Sequence, residues 1–257
     1  MPPGKPPVLS SRETGPDLGD LSGPFLLALL GGVESAVEEI VSTARSRGAD
    51  TALLVRDLVT PALAEVGRMW TRGEASIAEE HLATALVSRV LPRSSCVGCA
   101  SASPRRRIVF ACLAGEFHDL GIRFLSDVAR EAGWEAESLG ANVPREALVR
   151  FLAQRPPDAV AISLSLAGHV PEAARTVAGI REAAPSATVL VGGLAFHEDP
   201  DRIALTGADA GISDAVALRD WLRAGSRSAA NGAAKGEPHG LPGEMPAALR
   251  RRVSRSR

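Results

Sequence analysis

Apolar positions recur every third or fourth residue from about residue 22 to residue 94. Leu26, Leu29 and Leu30 open the pattern, and Val33, Ala36, Val37, Ile40 and Val41 continue it, the spacing of one buried helix face. Leu54, Leu58, Ala62, Val66 and Trp70 mark a further stripe, interrupted by Pro61. With Thr60 as a plausible cap before the proline, a kink or restart is expected there. Ser76-Ile77-Ala78-Glu79 reads as a capping box that opens another helix, running to about Leu91. Four or five such segments with short connections predict an antiparallel four-helix bundle over residues 22–94.

The pattern changes after a Ser/Pro/Gly-rich linker at 95–106. Short apolar runs at 107–113, 135–140, 158–164, 187–192 and 208–212 alternate with amphipathic runs near 120–132, 145–154, 170–183, 197–204 and 214–224. That alternation predicts five parallel strands covered on both faces. The fold class is therefore an all-α bundle followed by a flavodoxin-like, Rossmann-like α/β domain over 107–225. Residues 1–21 and 226–257 are rich in Pro, Gly, Ser and charge, and are expected to be disordered.

Net charge is −1 over 257 residues, so the chain as a whole is no electrostatic binder of nucleic acid. Arg250, Arg251, Arg252, Arg255 and Arg257 form a basic tail, read as a solvated end with phosphate contact as the alternative. Three cysteines make no disulfide framework, which favours a reducing cytoplasm. Cys96 and Cys99 have redox or half-zinc spacing but no second pair, and are assigned to the linker. No secretory signal is visible, and the apolar stretch from Phe25 to Leu30 is far too short to cross a bilayer.

The chemistry concentrates where the first predicted strand ends, in Glu116-Phe117-His118-Asp119-Leu120-Gly121. A strand there delivers His118 to the carboxyl edge of the sheet, where open α/β folds bind ligands. Glu116 is placed to hold one imidazole nitrogen and leave the other for a metal. The alternative is a loop histidine satisfied by a neighbouring carboxylate. No G-x-G-x-x-G occupies this place. Ser163-Leu164-Ser165 closes the third strand and Gly192-Gly193 the fourth; small residues there open a slot between strands. On the helix from Ile77, residues Ile77, Glu80, His81 and Thr84 share one face. Leu82, Leu86, Val87 and Val90 are assigned to the bundle core. Glu80 and His81 are then displayed away from it, while Trp70 reads as core on its stripe alone.

Glu-x-His-x-x-Gly, Ser-x-Ser and Gly-Gly after strands one, three and four resemble cobalamin-binding domains. Joined to Trp70-x9-Glu80-His81, they resemble the light-responsive adenosylcobalamin-binding domains of bacterial photoregulators, over residues 24–224. The resemblance implies adenosylcobalamin, a cobalt corrinoid, as cofactor, with His118 as the metal's lower ligand. It places Glu116, Asp119 and Gly121 beside that ligand, and Ser163, Ser165, Gly192 and Gly193 around the displaced nucleotide tail. Ser163 is the better hydrogen-bonding candidate, because the family usually has Ser-x-Leu. Trp70 would pack over the adenosyl group, Glu80 would contact its ribose, His81 would line the same cavity, and Ile77 would add an apolar contact.

The expected role is a non-enzymatic light sensor in which loss of the adenosyl group alters a homo-oligomer, dimer or tetramer, or a regulatory partner interface. Only residues 1–21 precede the bundle, so no DNA-binding segment and no direct DNA contact are expected, and no membrane contact. Thr71 stands where the best-known regulators have a histidine, so a bis-histidine photoproduct is not implied. Some free-standing relatives are thought to hold a bilin as second chromophore, which these residues do not decide. A methyl-carrying corrinoid protein and a light-independent cobalamin-responsive antirepressor are the alternatives. Glu80 and His81 favour the sensor, because a methyl carrier has no ribose to contact.

Overall fold

A computed structural model describes residues 5–11, 14–93 and 106–233. Helices α1 (Gly19–Leu30), α2 (Glu34–Ser46), α3 (Thr51–Leu54), α4 (Thr60–Thr71) and α5 (Ile77–Arg93) form the bundle. Its core gathers Phe25, Leu29, Val37, Val41, Leu54, Leu58, Val66, Leu86 and Val87. The capping box forms: Ser76 N–H donates to Glu79 Oε2 at 2.6 Å, and Glu79 N–H donates to Ser76 Oγ at 3.2 Å.

Two expectations for the bundle are corrected. Thr60 does not cap a new helix; a π turn, Val55–Val59, joins α3 to α4 without a break, and Thr60 N–H donates to Val55 O. Pro61 has no N–H for the Asp57 carbonyl, and the wider turn absorbs that mismatch. Leu82 is 40% exposed, and Ala83 takes its core position. Ala83 lies three residues before Leu86 and four before Val87, at the centre of the buried face, whereas Leu82 meets only Leu86 at that spacing and falls at the edge of the face.

The α/β part runs β2 (Arg107–Cys112), α6 (Leu120–Glu131), β3 (Glu135–Ser138), α7 (Arg145–Gln154), β4 (Ala159–Ser163), α8 (Val170–Ala183), β5 (Thr188–Gly192), α9 (Leu194–His197), α10 (Arg202–Thr206), β6 (Ala210–Ile212) and α11 (Ala215–Ala233). The helix expected at 197–204 is two short ones, separated by Asp199 and Pro200. The described sheet has six parallel strands rather than five: with Val8–Leu9 as β1 at its edge, the order is β1-β6-β5-β4-β2-β3.

The extra strand, β1 (Val8–Leu9), corrects the expectation of disorder through residue 21. Gly211 N–H donates to Pro7 O at 2.9 Å and Ser213 N–H to Leu9 O at 3.2 Å. Pairing with β6, two hundred residues away in sequence, orders a segment whose composition alone reads as loop. At the other end α11 continues past residue 225 to Ala233. Cys96, Cys99 and the arginine tail lie outside the described residues.

The bundle seats on α6 and α11, whose Phe124, Val128, Ala215 and Val216 complete its core. Polar contacts fix the seat. Asp50 caps α3 by accepting from Leu53 N–H at 3.0 Å, and its other oxygen accepts from Arg219 at 2.8 Å. Thr51 N–H and Oγ both donate to the Glu131 carboxylate, at 3.1 and 2.5 Å. Among the described residues no helix is long and apolar enough to cross a membrane.

Candidate functional site

Cys112, Ser163, Gly192 and Ile212 pair in register across four strands. The loops that follow them therefore leave one edge of the sheet side by side, at the strands' carboxyl ends. All six residues of β2 are buried, which anchors the first of these loops. Leu113 bridges to Val143, and Gly115 turns the chain at a φ of +83°. Asn142 holds that turn by accepting from Gly115 N–H at 2.8 Å.

Glu116 is 1% exposed. Its Oε1 accepts from His118 N–H at 2.9 Å and lies 2.6 Å from His118 Nδ1, while Oε2 accepts from Ser165 N–H at 2.5 Å. Burial pushes this carboxyl up, but the His118 and Ser165 amides and the imidazole overcome it and hold the group below the usual glutamate range. The carboxylate fixes Nδ1 as the protonated nitrogen and leaves Nε2 to donate to a metal. The His118 side chain itself is 76% exposed. Cys112 is buried directly beneath, its Sγ 3.6 Å from His118 O, and burial pushes its thiol up to about 12.

Beside this loop lies a cavity of about 380 Å³. Gly121, Ser163, Gly192 and Gly193 line it together with Phe110, Ile122 and Ile212. A Cβ on Gly121 would meet nothing within 4 Å, whereas one on Gly193, at φ +106°, would lie 2.3 Å from Leu164 O. The first glycine leaves space; the second permits a close approach of two loops. Ser165 is not among the cavity's lining residues and works through its backbone on Glu116. Asp119 pairs with Arg123 at 3.0 Å instead.

On the bundle, Trp70 is 50% and Ile77 55% exposed, so the core stripe ends at Val66 and the core reading of Trp70 is corrected. His81 Nδ1 lies 2.5 Å from Glu80 Oε2, and Thr84 donates to the other carboxylate oxygen at 3.3 Å. The Thr71 hydroxyl turns back onto Gly67 O at 2.9 Å. Sequence reasoning missed two groups. Phe117, Leu166 and Leu194, which follow β2, β4 and β5 at the sheet edge, are all more than half exposed. Val55, Arg56 and Thr60 from the bundle and His197, Ser213 and Asp214 from the α/β part also line the cavity. Single apolar loop residues and long-range contacts leave no periodic signal, although an exposed aromatic beside His118 was a cue.

Residues 106–218 match a family model described as a B12 binding domain, and residues 24–93 match a second B12 binding domain model. Two stretches of the chain, 106–218 and 24–93, thus match B12 binding domains. It is similar to the HTH-type transcriptional repressor CarH of Myxococcus xanthus, 31% identical over 143 residues, 54% of this chain and 46% of that protein. The chain thus spans about half the length of this curated relative. Among solved structures it resembles the Methanosarcina barkeri monomethylamine corrinoid protein, with a TM-score of 0.61 and 16% identity, covering 78% of this chain and 95% of that one. A cobalamin-binding protein from Desulfitobacterium hafniense aligns at a TM-score of 0.41 and 23% identity, covering 82% and 98%.

The residues fit a corrinoid. Its ring supplies four nitrogens to cobalt, so one protein donor would be enough, and the carboxylate-braced imidazole of His118 could serve as that donor. The glycine-lined cavity beside it falls within the size range of small-ligand sites, and Gly121 leaves its wall open where a side chain would otherwise fill it.

Proposed function

We propose that this chain is a light sensor that uses adenosylcobalamin, and that it regulates rather than catalyses, in the cytoplasm. The observation that carries the reading is the exposed set on α4 and α5. Trp70 near the end of α4 and Ile77 at the start of α5 present apolar surface, and α5 also carries a hydrogen-bonded Glu80–His81 pair, a combination suited to a nucleoside and of no use to a methyl group. The similarity to a transcriptional repressor supports a regulatory role.

When bound, adenosylcobalamin supplies a cobalt–carbon bond that visible light breaks. His118 would ligate cobalt through Nε2, with Glu116 holding the ring and keeping Nδ1 protonated. Ser163 would donate a hydrogen bond to the nucleotide tail, and Gly121, Gly192 and Gly193 would make room for it. Asp119 would lie at the rim beside Arg123. Glu80 would accept from a ribose hydroxyl while Trp70, Ile77 and His81 cover the upper group. Departure of the upper group would uncover Trp70 and Ile77, biasing the seat of the bundle on α6 and α11 and changing a self-association or partner surface.

The test is to load purified protein in the dark and record absorption and elution volume before and after green light. A lasting spectral change together with a changed elution volume is expected. Stable methylcobalamin binding with no response of either kind to light overturns the reading in favour of a methyl carrier. Thr71 favours that second reading, because its hydroxyl is engaged on Gly67 and offers no imidazole to the upper side.

A further inference from the structure

One wall of the cavity beside His118 comes from the bundle. Val55, Arg56 and Thr60 line it together with Gly121, Ser163, Gly192 and Gly193 of the α/β part. All three belong to the π turn or the residue that closes it. The turn carries one more residue than an α-helical turn, and each residue rotates a helix by about 100°. It therefore resets α3 against α4, so that Val55 and Thr60 reach the same cavity. The guanidinium of Arg56 is closed on Asp57 by two hydrogen bonds of 2.6 and 2.8 Å. The charge of Asp214, another lining residue, also acts on it.

The same helix that starts in this wall ends at the upper-face set. Thr60 opens α4 and Trp70 stands one residue before its end. A helix of this length is a rod of about 18 Å. A displacement at its first turn is transmitted to Trp70 as a rigid tilt, with no intervening loop to absorb it.

We propose that the helical module discriminates complete cobalamin from corrinoids lacking the nucleotide tail, through Val55, Arg56 and Thr60. The inference rests on the corrinoid reading of the cavity and not on the response to light. Specificity for the tail is then shared between the α/β slot and a wall that can move with α4.

The experiment compares dark binding of adenosylcobalamin and adenosylcobinamide, which lacks the tail, by the full chain. Thr60→Phe adds bulk to the bundle wall from an exposed position. It is expected to weaken adenosylcobalamin about tenfold or more while leaving adenosylcobinamide within about twofold. Gly121→Leu, from the α/β part, is the reference and is expected to discriminate in the same way. Far-ultraviolet circular dichroism and the thermal midpoint of the unliganded variants confirm that both fold. Equal effects of Thr60→Phe on the two corrinoids, or none, overturn the proposal when Gly121→Leu still discriminates. If Gly121→Leu does not discriminate either, the cavity is not the tail site and the proposal falls with that assignment. Absence of any light response, with the discrimination intact, removes the sensor reading and leaves this one standing.

Discussion

Glu116 ties three groups to one carboxylate: Oε1 serves the His118 amide and imidazole, and Oε2 serves the amide of Ser165 on a different loop. The nitrogen proposed to bind the metal is thereby oriented by a residue that is only 1% exposed. Replacing Glu116 by Ala leaves buried amides unpaired, at a cost of about 1–3 kcal/mol, and frees the ring to rotate. Corrinoid affinity is expected to fall roughly 10- to 100-fold, measured by spectral titration.

The same carboxylate sets a pH dependence. Its folded-state value is depressed below 4.5, so its contribution to stability is complete above that value and is lost as pH falls through the lower, folded one. The difference in unfolding free energy between the native chain and Glu116→Gln is expected to stay constant from neutral pH down to about 5 and to shrink below 4.5. Denaturant titrations across that range check it. A difference that grows toward acid would show the opposite linkage.

His118 is mostly exposed, so His118→Ala is expected to change unliganded stability by no more than about 0.5 kcal/mol. Its effect belongs to the cofactor. Loaded protein should bind weakly or show the spectrum of cobalamin with its own base still on cobalt. A wild-type spectrum would exclude His118 as the ligand.

Trp70→Ala separates an upper adenosyl site from a methyl site. The indole is half exposed in the unliganded chain, so little folding energy is at stake. Affinity for adenosylcobalamin is expected to fall about tenfold, as for loss of a buried aromatic contact, with methylcobalamin unchanged. Isothermal titration of both cofactors in the dark decides it.

The glycines at the cavity are not equivalent. Gly193→Ala sets a Cβ against Leu164 O at a positive φ and is expected to destabilise the chain by about 2 kcal/mol or more. Gly121→Ala meets open space inside the first turn of α6 and should be neutral or stabilising by about 0.5 kcal/mol, yet it should weaken cobalamin. Thermal melts without ligand and titrations with it distinguish the two.

Much of this was legible in the sequence where the signal is local. The capping box at Ser76 and Glu79, the buried run of β2, and the succession of His118, Ser163 and Gly192-Gly193 at strand ends all read directly from neighbouring residues. What escaped depends on partners distant in the chain. Val8 and Leu9 become a strand only because β6 offers Gly211 and Ser213. The π turn reflects the missing amide of Pro61 within a buried helix, and the bundle wall of the cavity needs α3 and α4 seated on α6 and α11. Leu82 shares the helical spacing of Leu86 and so read as core, although it falls at the edge of the buried face.

The three tryptophans of the chain occupy three different surroundings. Trp134 is sealed in the α/β core, donates to Leu222 O, and stacks on Trp221 with centroids 5.6 Å apart. Trp70 alone stands half in water, at the point where a coloured macrocycle would arrive. Indole fluorescence thus divides among a sealed Trp134, a partly buried Trp221 and a single emitter half in water, and the molecule carries a native optical gauge of what lies over α4.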